Sequence, residues 1–101
     1  MLEEIKGSIA QVSWDVNVSE DAANSMRGAE KTIQKAVRRI IDRLASSENP
    51  KFFGKPLRHK LAGFYRVKVR KDWRIIYAVS EARHSVDVIY FGHRSSVYEN
   101  L

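Results

Sequence analysis

Cationic and apolar side chains alternate along a short segment in the second half of the chain. The cations are Arg66, Lys68 and Arg70, and they alternate with Tyr65, Val67 and Val69. Alternate side chains of a β-strand point to opposite faces, so this segment predicts one apolar face and one row of cations about 13 Å long. Such a row can bind phosphate groups, which makes a nucleic acid the first candidate ligand.

The net charge of +6 is concentrated around this segment. Residues 51–77 contain nine basic residues and a single acid, Asp72, whereas residues 1–26 contain one lysine and five acids. A localised excess of this kind indicates an anionic partner, either a nucleic acid or an acidic protein segment.

The length and composition of the chain indicate what class of protein it is. The length of 101 residues and the 44% hydrophobic content predict one domain, residues 1–101, with residues 1–10 as an N-terminal extension. The chain has no cysteine, and its three histidines lack the spacing of a metal site, so we expect no disulfide, metal or other cofactor. We find no apolar run of about 18 residues and no secretory signal, so we expect a cytoplasmic rather than a membrane protein.

The first half of the chain predicts one strand and two helices. Gln11–Val18 alternates apolar and polar residues, as a half-buried strand does. Ser19 is suited to cap a short helix that runs to Arg27, and Gly28 could end that helix in a left-handed conformation. Apolar residues at helical spacing then predict a longer amphipathic helix. They are Ile33, Ala36, Val37, Ile40, Ile41 and Leu44.

The second half predicts a basic loop followed by three strands. The loop is residues 51–62, and the strands are Phe64–Arg70, Arg74–Val79 and Ser85–Phe91. A three-residue turn, Lys71–Trp73, would pair Arg74 with Arg70 on the cationic side, whereas a two-residue turn would place Arg74 in the core. Burial of an unpaired guanidinium is unfavourable, so we predict the three-residue turn and the element order β-α-α-β-β-β.

Four motifs follow one another in this half of the chain. They are Leu57-Arg58, Tyr65-Arg66-Val67-Lys68, Trp73-Arg74-Ile75-Ile76-Tyr77, and Gly92-His93-Arg94 with Val97-Tyr98. No single motif is specific, but the ordered set resembles the RelE/ParE superfamily of toxins from bacterial and archaeal toxin–antitoxin pairs. The resemblance implies a RelE-like α+β fold, in which a two-helix hairpin packs on one face of a small, mainly antiparallel, twisted sheet.

The RelE branch of this superfamily implies a ribosome-dependent endoribonuclease that cleaves mRNA in the decoding site. In metal-free RNA cleavage the 2′-hydroxyl attacks the adjacent phosphate, and the site needs a base, an acid and cations for the developing charge. The catalytic residues implied are Arg66, Lys68, Arg74, His93, Arg94 and Tyr98. The implied contacts to RNA or to the ribosome are Lys55, Arg58, Lys60, Arg70 and Lys71.

Different residue types in this set suit different roles. The arginines suit charge stabilisation, because their planar fork pairs with two phosphate oxygens and stays charged. Lys68 is either a further phosphate contact or a proton-transfer group. Tyr98 could act as base or acid, stack on a nucleobase, or simply pack at the sheet edge. His93 could transfer protons near neutral pH, or be an exposed loop residue.

The resemblance implies three partners: a cognate antitoxin, the ribosome with its 16S rRNA, and mRNA. The antitoxin could contact the basic face, the helix that carries Ile41 and Leu44, or an exposed strand edge. Two alternatives remain open. One is a ParE-like toxin that inhibits DNA gyrase and has no nuclease activity. The other is a non-toxic RNA-binding module or decayed toxin, whose RNA binding would be salt-dependent and without cleavage.

Overall fold

Two helices and a five-stranded sheet make up residues 13–97, the part of the chain that the computed structural model describes. The N-terminal extension, residues 1–10, and Tyr98 lie outside the described residues. The helices are α1 (Glu20–Arg27) and α2 (Lys31–Ser46). The strands are β1 (Asp15–Val18), β2 (Lys55–Pro56), β3 (Phe64–Val69), β4 (Trp73–Ser80) and β5 (Ser85–His93), with short 3-10 turns at Pro50–Phe52 and His59–Leu61.

The sheet has the order β1-β5-β4-β3-β2, in which only the β1–β5 pair is parallel. Ala22 of α1 and Val37 and Leu44 of α2 belong to one buried cluster with side chains of three strands. The strand residues are Val69, Ile75, Tyr77, Val86, Val88 and Phe91. Both helices therefore cover the same face of the sheet, which confirms the predicted α+β architecture.

The helices begin where the sequence indicates, but α1 ends differently. The Ser19 hydroxyl accepts a hydrogen bond from the Ala22 N–H (3.1 Å), as an N-cap residue does. The predicted left-handed Gly28 is wrong, because its φ of −82° is right-handed and its N–H donates to the Asn24 carbonyl (3.2 Å). Within residues 13–97, neither helix is long and apolar enough to cross a membrane.

The predicted loop of residues 51–62 contains the short strand β2. Lys55 pairs with Arg66, and Pro56 pairs with Tyr65, so the segment lies along the edge of β3. Two paired residues are too few to produce an alternating sequence pattern, and proline is tolerated at such an edge. The strand therefore left no signal in the sequence.

A buried tyrosine holds this segment against the sheet. The Tyr77 hydroxyl donates to the Pro50 carbonyl (2.6 Å) and accepts from the Gly54 N–H (2.8 Å). A side chain at Gly54 would lie 2.8 Å from the Tyr77 hydroxyl and 2.9 Å from the Arg66 carbonyl, so this approach requires glycine. Burial raises the pKa of Tyr77 to about 12, which keeps the hydroxyl protonated and able to donate.

The turn between β3 and β4 has the predicted length but lies one residue earlier. Its three residues are Arg70–Asp72, since Val69 pairs with Trp73 and Lys68 pairs with Arg74. The predicted Arg70–Arg74 pair is therefore wrong, and β3 ends before Arg70. Arg70 has a left-handed φ of 57° within the turn, so the predicted row of three cations along β3 shortens to two.

Candidate nucleic-acid interface

Four cations lie on the face of the sheet opposite the helices. Directly paired residues of neighbouring strands share a face. The register places Lys55 beside Arg66, and Lys68 beside Arg74. These positions alternate with Val69, Ile75 and Tyr77, which face the helices. We call Lys55, Arg66, Lys68 and Arg74 the cationic face.

The cations on this face differ in exposure. Lys55 and Lys68 are exposed, Arg66 is half-buried, and Arg74 is only 8% exposed. Arg74 Nη1 donates to the carbonyls of Lys71 (3.1 Å) and Trp73 (2.9 Å), so its charge is compensated by backbone dipoles. Arg74 therefore lies on the predicted face of the sheet, but its side chain bends back to contact the β3–β4 turn. Because Arg74 is buried, salt screens its positive charge less than it screens the exposed cations.

An aromatic residue that the sequence analysis did not single out belongs to this face. Tyr90 pairs with Ile76, and Gly92 pairs with Arg74. A side chain at Gly92 would lie 2.2 Å from the Tyr90 hydroxyl, so the Tyr90 ring lies over the glycine and beside Arg74. An aromatic ring next to a row of cations can stack on a nucleobase. The signal in the sequence was the Tyr-x-Gly spacing within β5.

Arg94 lies at the end of the sheet near the β3–β4 turn. Its backbone N–H donates to the Asp72 carbonyl (2.7 Å), and its Nε lies 3.5 Å from the Asp72 carboxylate. The side chain is 56% exposed, so this ion pair is screened by water and can exchange for a phosphate. Arg70 and Lys71 are exposed in the same turn. These three cations form a rim beside Lys68 and Arg74.

His93 lies on the opposite face of the sheet from Arg66, Lys68 and Arg74. It pairs with Trp73, and the two rings meet edge to face with centroids 5.5 Å apart. His93 Nδ1 lies 3.2 Å from the Ser95 N–H and 2.8 Å from the Ser95 hydroxyl oxygen. With Asp21 and Ser25 of α1, and with Tyr90 and Gly92 of β5, it lines a cavity of about 620 Å³.

Two of the predicted RNA contacts lie at the other end of the sheet. Arg58 and Lys60 are exposed around the 3-10 turn that precedes β3. The six residues of β3 separate them from the rim by about 17 Å. The structure thus brings together Lys55, Arg66, Lys68 and Arg74 with the rim of Arg70, Lys71 and Arg94, and sets Arg58 and Lys60 apart. Tyr98 lies outside the described residues.

This arrangement is suited to binding and stabilising negative charge. Cations held by a rigid sheet can stabilise the charge that develops on a reacting phosphate, without needing to reorganise. Among residues 13–97, no three histidine or acidic side chains come close enough together to hold a metal ion.

Comparisons with known proteins agree with the fold and with the sequence motifs. Residues 16–98 match a family model described as the ParE toxin of the type II toxin–antitoxin system parDE. Over 50 residues the chain is 40% identical to Toxin RelE of Mycobacterium tuberculosis (strain ATCC 25618 / H37Rv), a match that spans half of each chain.

Two solved structures share the architecture. The toxin–antitoxin complex RelBE2 from Mycobacterium tuberculosis contains a chain that is 26% identical, with a TM-score of 0.71. That match covers 82% of this chain and 100% of the other. A mutant of E. coli toxin RelE in the free state is 23% identical, also with a TM-score of 0.71, and covers 86% and 92% of the two chains.

Proposed function

Because the chain belongs to the ParE toxin family of type II toxin–antitoxin systems, we propose that it acts as a RelE-type toxin, an endoribonuclease that cleaves mRNA in the decoding site of the ribosome. The observation that carries this proposal is the cationic face, where Lys68 and Arg74 lie directly opposite each other on neighbouring strands. The match to Toxin RelE gives further support.

In the proposed reaction the 2′-hydroxyl of one nucleotide attacks the adjacent phosphorus. The bond to the 5′-oxygen of the next nucleotide breaks, which leaves a 2′,3′-cyclic phosphate and a free 5′-hydroxyl. Arg66, Arg74 and Arg94 stabilise the charge on the pentacoordinate phosphorus, and Arg94 exchanges Asp72 for the phosphate. DNA lacks the 2′-hydroxyl, so the chemistry is specific for RNA.

Proton transfer falls to Lys68 and Tyr98 in this proposal, rather than to His93. Lys68 is exposed on the cationic face, next to the predicted position of the phosphate. Tyr98 follows Arg94 by four residues in the sequence. The pairing of His93 with Trp73, on the side of β5 that faces α1, supports assigning proton transfer to the other two residues.

The proposal is tested by primer extension on a defined mRNA, with and without programmed ribosomes. We expect cleavage only with ribosomes, and a roughly 100-fold or greater loss in Lys68→Ala and in Arg94→Ala, since each removes a group that stabilises the transition state. Both side chains are exposed, so the variants should fold. Arg83→Ala, which removes an exposed cation of the β4–β5 turn, serves as the matched control and should cleave like the wild type.

A gyrase inhibitor without nuclease activity is the second candidate function. The matching family model is described as a ParE toxin, and Arg74 is occupied by backbone carbonyls. Intact mRNA in every lane of the primer extension would contradict the nuclease proposal. A DNA supercoiling assay with gyrase would then decide whether this second function holds.

We also propose that the chain binds a cognate antitoxin, because the similar toxin from Mycobacterium tuberculosis was solved as a toxin–antitoxin complex. Of the two helix residues expected to contact it, Leu44 is fully buried and is not available. Ile41 lines an open groove between α1 and α2 together with Met26 and Val37. This groove offers an apolar docking place for a helix of the antitoxin.

A further inference from the structure

The outer surface of α2 is strongly cationic. Five cations of this helix are exposed, and they are Lys31, Lys35, Arg38, Arg39 and Arg43. The only acid of the helix is Asp42. Lys31, Lys35, Arg39 and Arg43 follow one another at four-residue spacing on the side away from the buried Val37 and Leu44, in a row about 18 Å long. Arg38 lies beside this row, at the groove between α1 and α2. We call these five residues the α2 ridge.

The cations at the start of α2 do not serve helix stability. A helix N-terminus carries partial positive charge, which disfavours nearby cations. Lys31 is the first residue of α2, the first turn contains no acid, and Glu30 makes no side-chain capping hydrogen bond. Helix stability alone would place an acid where Lys31 stands. A ligand that binds to the ridge accounts for the charges better than the fold does.

The α2 ridge is continuous with the cationic face. Arg39, Arg43 and Lys68 line one groove of about 550 Å³ between α2 and the sheet, and Asp42 is the one acid in its lining. Lys68 reaches this groove because β2 pairs only with Tyr65 and Arg66, so the later half of β3 forms the outer edge of the described sheet. A bound strand can therefore pass from one surface to the other along a cationic path.

We propose that the α2 ridge and Lys68 bind the phosphate backbone of an RNA strand, which extends from the segment held by the cationic face. This inference rests on the proposed function for the identity of that RNA, but the binding itself requires no cleavage. It adds a second contact region to the one at the sheet.

RNA fits this surface better than an acidic protein does. Protein–protein interfaces have apolar centres depleted of charged residues, whereas the exposed side chains of the ridge are mostly charged. Three of the five cations are arginines, whose planar fork pairs with two phosphate oxygens. Cations four residues apart on a helix are separated by about 6 Å along its axis, which presents a repeating charge to a repeating polyanion.

Binding to an RNA that cannot be cleaved tests the inference. The probe is a fluorescent single-stranded 2′-O-methyl RNA of about 12 nucleotides, within the span that a small domain can bind. Arg39→Gln, Arg43→Gln and the double variant are compared with Arg83→Gln, which removes one exposed cation of the β4–β5 turn. The dissociation constant is measured over a range of salt concentrations.

We expect each ridge substitution to weaken binding about 5-fold at 0.1 M salt, and the double variant about 25-fold. The slope of log affinity against log salt should fall by about 0.7 for each substitution, because each removes one phosphate contact. Arg83→Gln should match the wild type in both quantities.

Ridge variants that bind this RNA as tightly as Arg83→Gln would overturn the inference. If they lost affinity only for a poly-glutamate peptide, the ridge would bind an acidic protein and the RNA proposal would be wrong. Loss of RNA binding in a protein that cleaves no mRNA would support this inference and remove the proposed function. If the wild type cleaved mRNA on the ribosome but the ridge substitutions left RNA binding unchanged, the proposed function would be supported and this inference would be overturned.

Discussion

Arg74 shows what the sequence can and cannot say about a single residue. The alternation along β3 and β4 was enough to place it on the cationic face, because strand parity depends only on the length of the turn. Its burial was not predictable, since it depends on carbonyls of the turn that bend towards the guanidinium. Arg74, which the sequence analysis interpreted as a phosphate contact, therefore also stabilises the backbone of the β3–β4 turn.

Tyr77 provides a test of stability at the scale of one residue. Tyr77→Phe should lower the free energy of unfolding by about 1–3 kcal/mol, because the Gly54 N–H and the Pro50 carbonyl lose their partner. Urea denaturation at pH 8 measures this loss. Tyr65→Phe, which alters the tyrosine stacked on Tyr77 (centroids 5.4 Å apart), is the matched control and should cost less.

The same variant should change how stability depends on pH. The raised pKa of Tyr77, about 12 against 10.0 for an unperturbed tyrosine, means that the folded state favours the protonated hydroxyl. This contribution is complete below pH 10 and is lost as the pH rises towards 12. The wild type should therefore lose more stability over this interval than Tyr77→Phe does. Equal losses in the two proteins would show that the hydroxyl does not favour its protonated form in the fold.

At the scale of elements, helices and strands with a long residue pattern were predictable from the sequence, whereas features of one or two residues were not. The apolar spacing of α2 and the alternation of β3 to β5 each extend over several residues, so the pattern survives local irregularities. Gly28 and β2 involve one or two residues, and their conformations depend on what surrounds them. The β3–β4 turn belongs to the same class, since its length was predictable but its position was not.

The strain in this turn leads to a prediction that separates stability from binding. Arg70 has a φ of 57°, which disfavours residues other than glycine. Arg70→Gly should raise the free energy of unfolding by about 0.5–1 kcal/mol while removing one cation from the rim. Thermal or urea denaturation measures the first effect, and RNA binding the second.

Lys71→Gly is the matched control for this change, because it removes a neighbouring exposed cation. Lys71 is not among the residues with positive φ in residues 13–97, so glycine should lower stability there by about 0.5–1 kcal/mol. If both variants lost stability equally, the left-handed conformation of Arg70 would carry no strain.

At the scale of the whole molecule, one irregularity divides the predicted catalytic set. The β4–β5 register shifts between Ile76 and Tyr77, where Ile89 is the extra residue. Val86 and Val88 face the helices before the shift, and after it Phe91 and His93 do. A bulge reverses the parity of every later residue in its strand, and a single sequence does not reveal it. His93 therefore lies away from Arg66, Lys68 and Arg74.

We expect His93→Gln to retain ribosome-dependent cleavage, in contrast to Lys68→Ala. Glutamine keeps a polar side chain of similar reach, so the cavity beside α1 should be little disturbed. Primer extension over a pH range is the measurement, and the shape of the pH profile should not change. A loss as large as that of Lys68→Ala, together with an altered profile, would return His93 to the proton-transfer step.

The parallel pairing of β1 with β5 has a consequence for the order of events during synthesis. β1 joins the sheet only through β5, and the residues that pair are 70 positions apart in the sequence, as Asp15 and Ser85 are. The first described strand to leave the ribosome must therefore wait for the last described strand before it gains its partner. Contacts of such long range slow folding, because the loop must close before the contact can form. The ribosome that makes this protein thus finishes nearly all of the described chain before the sheet can close.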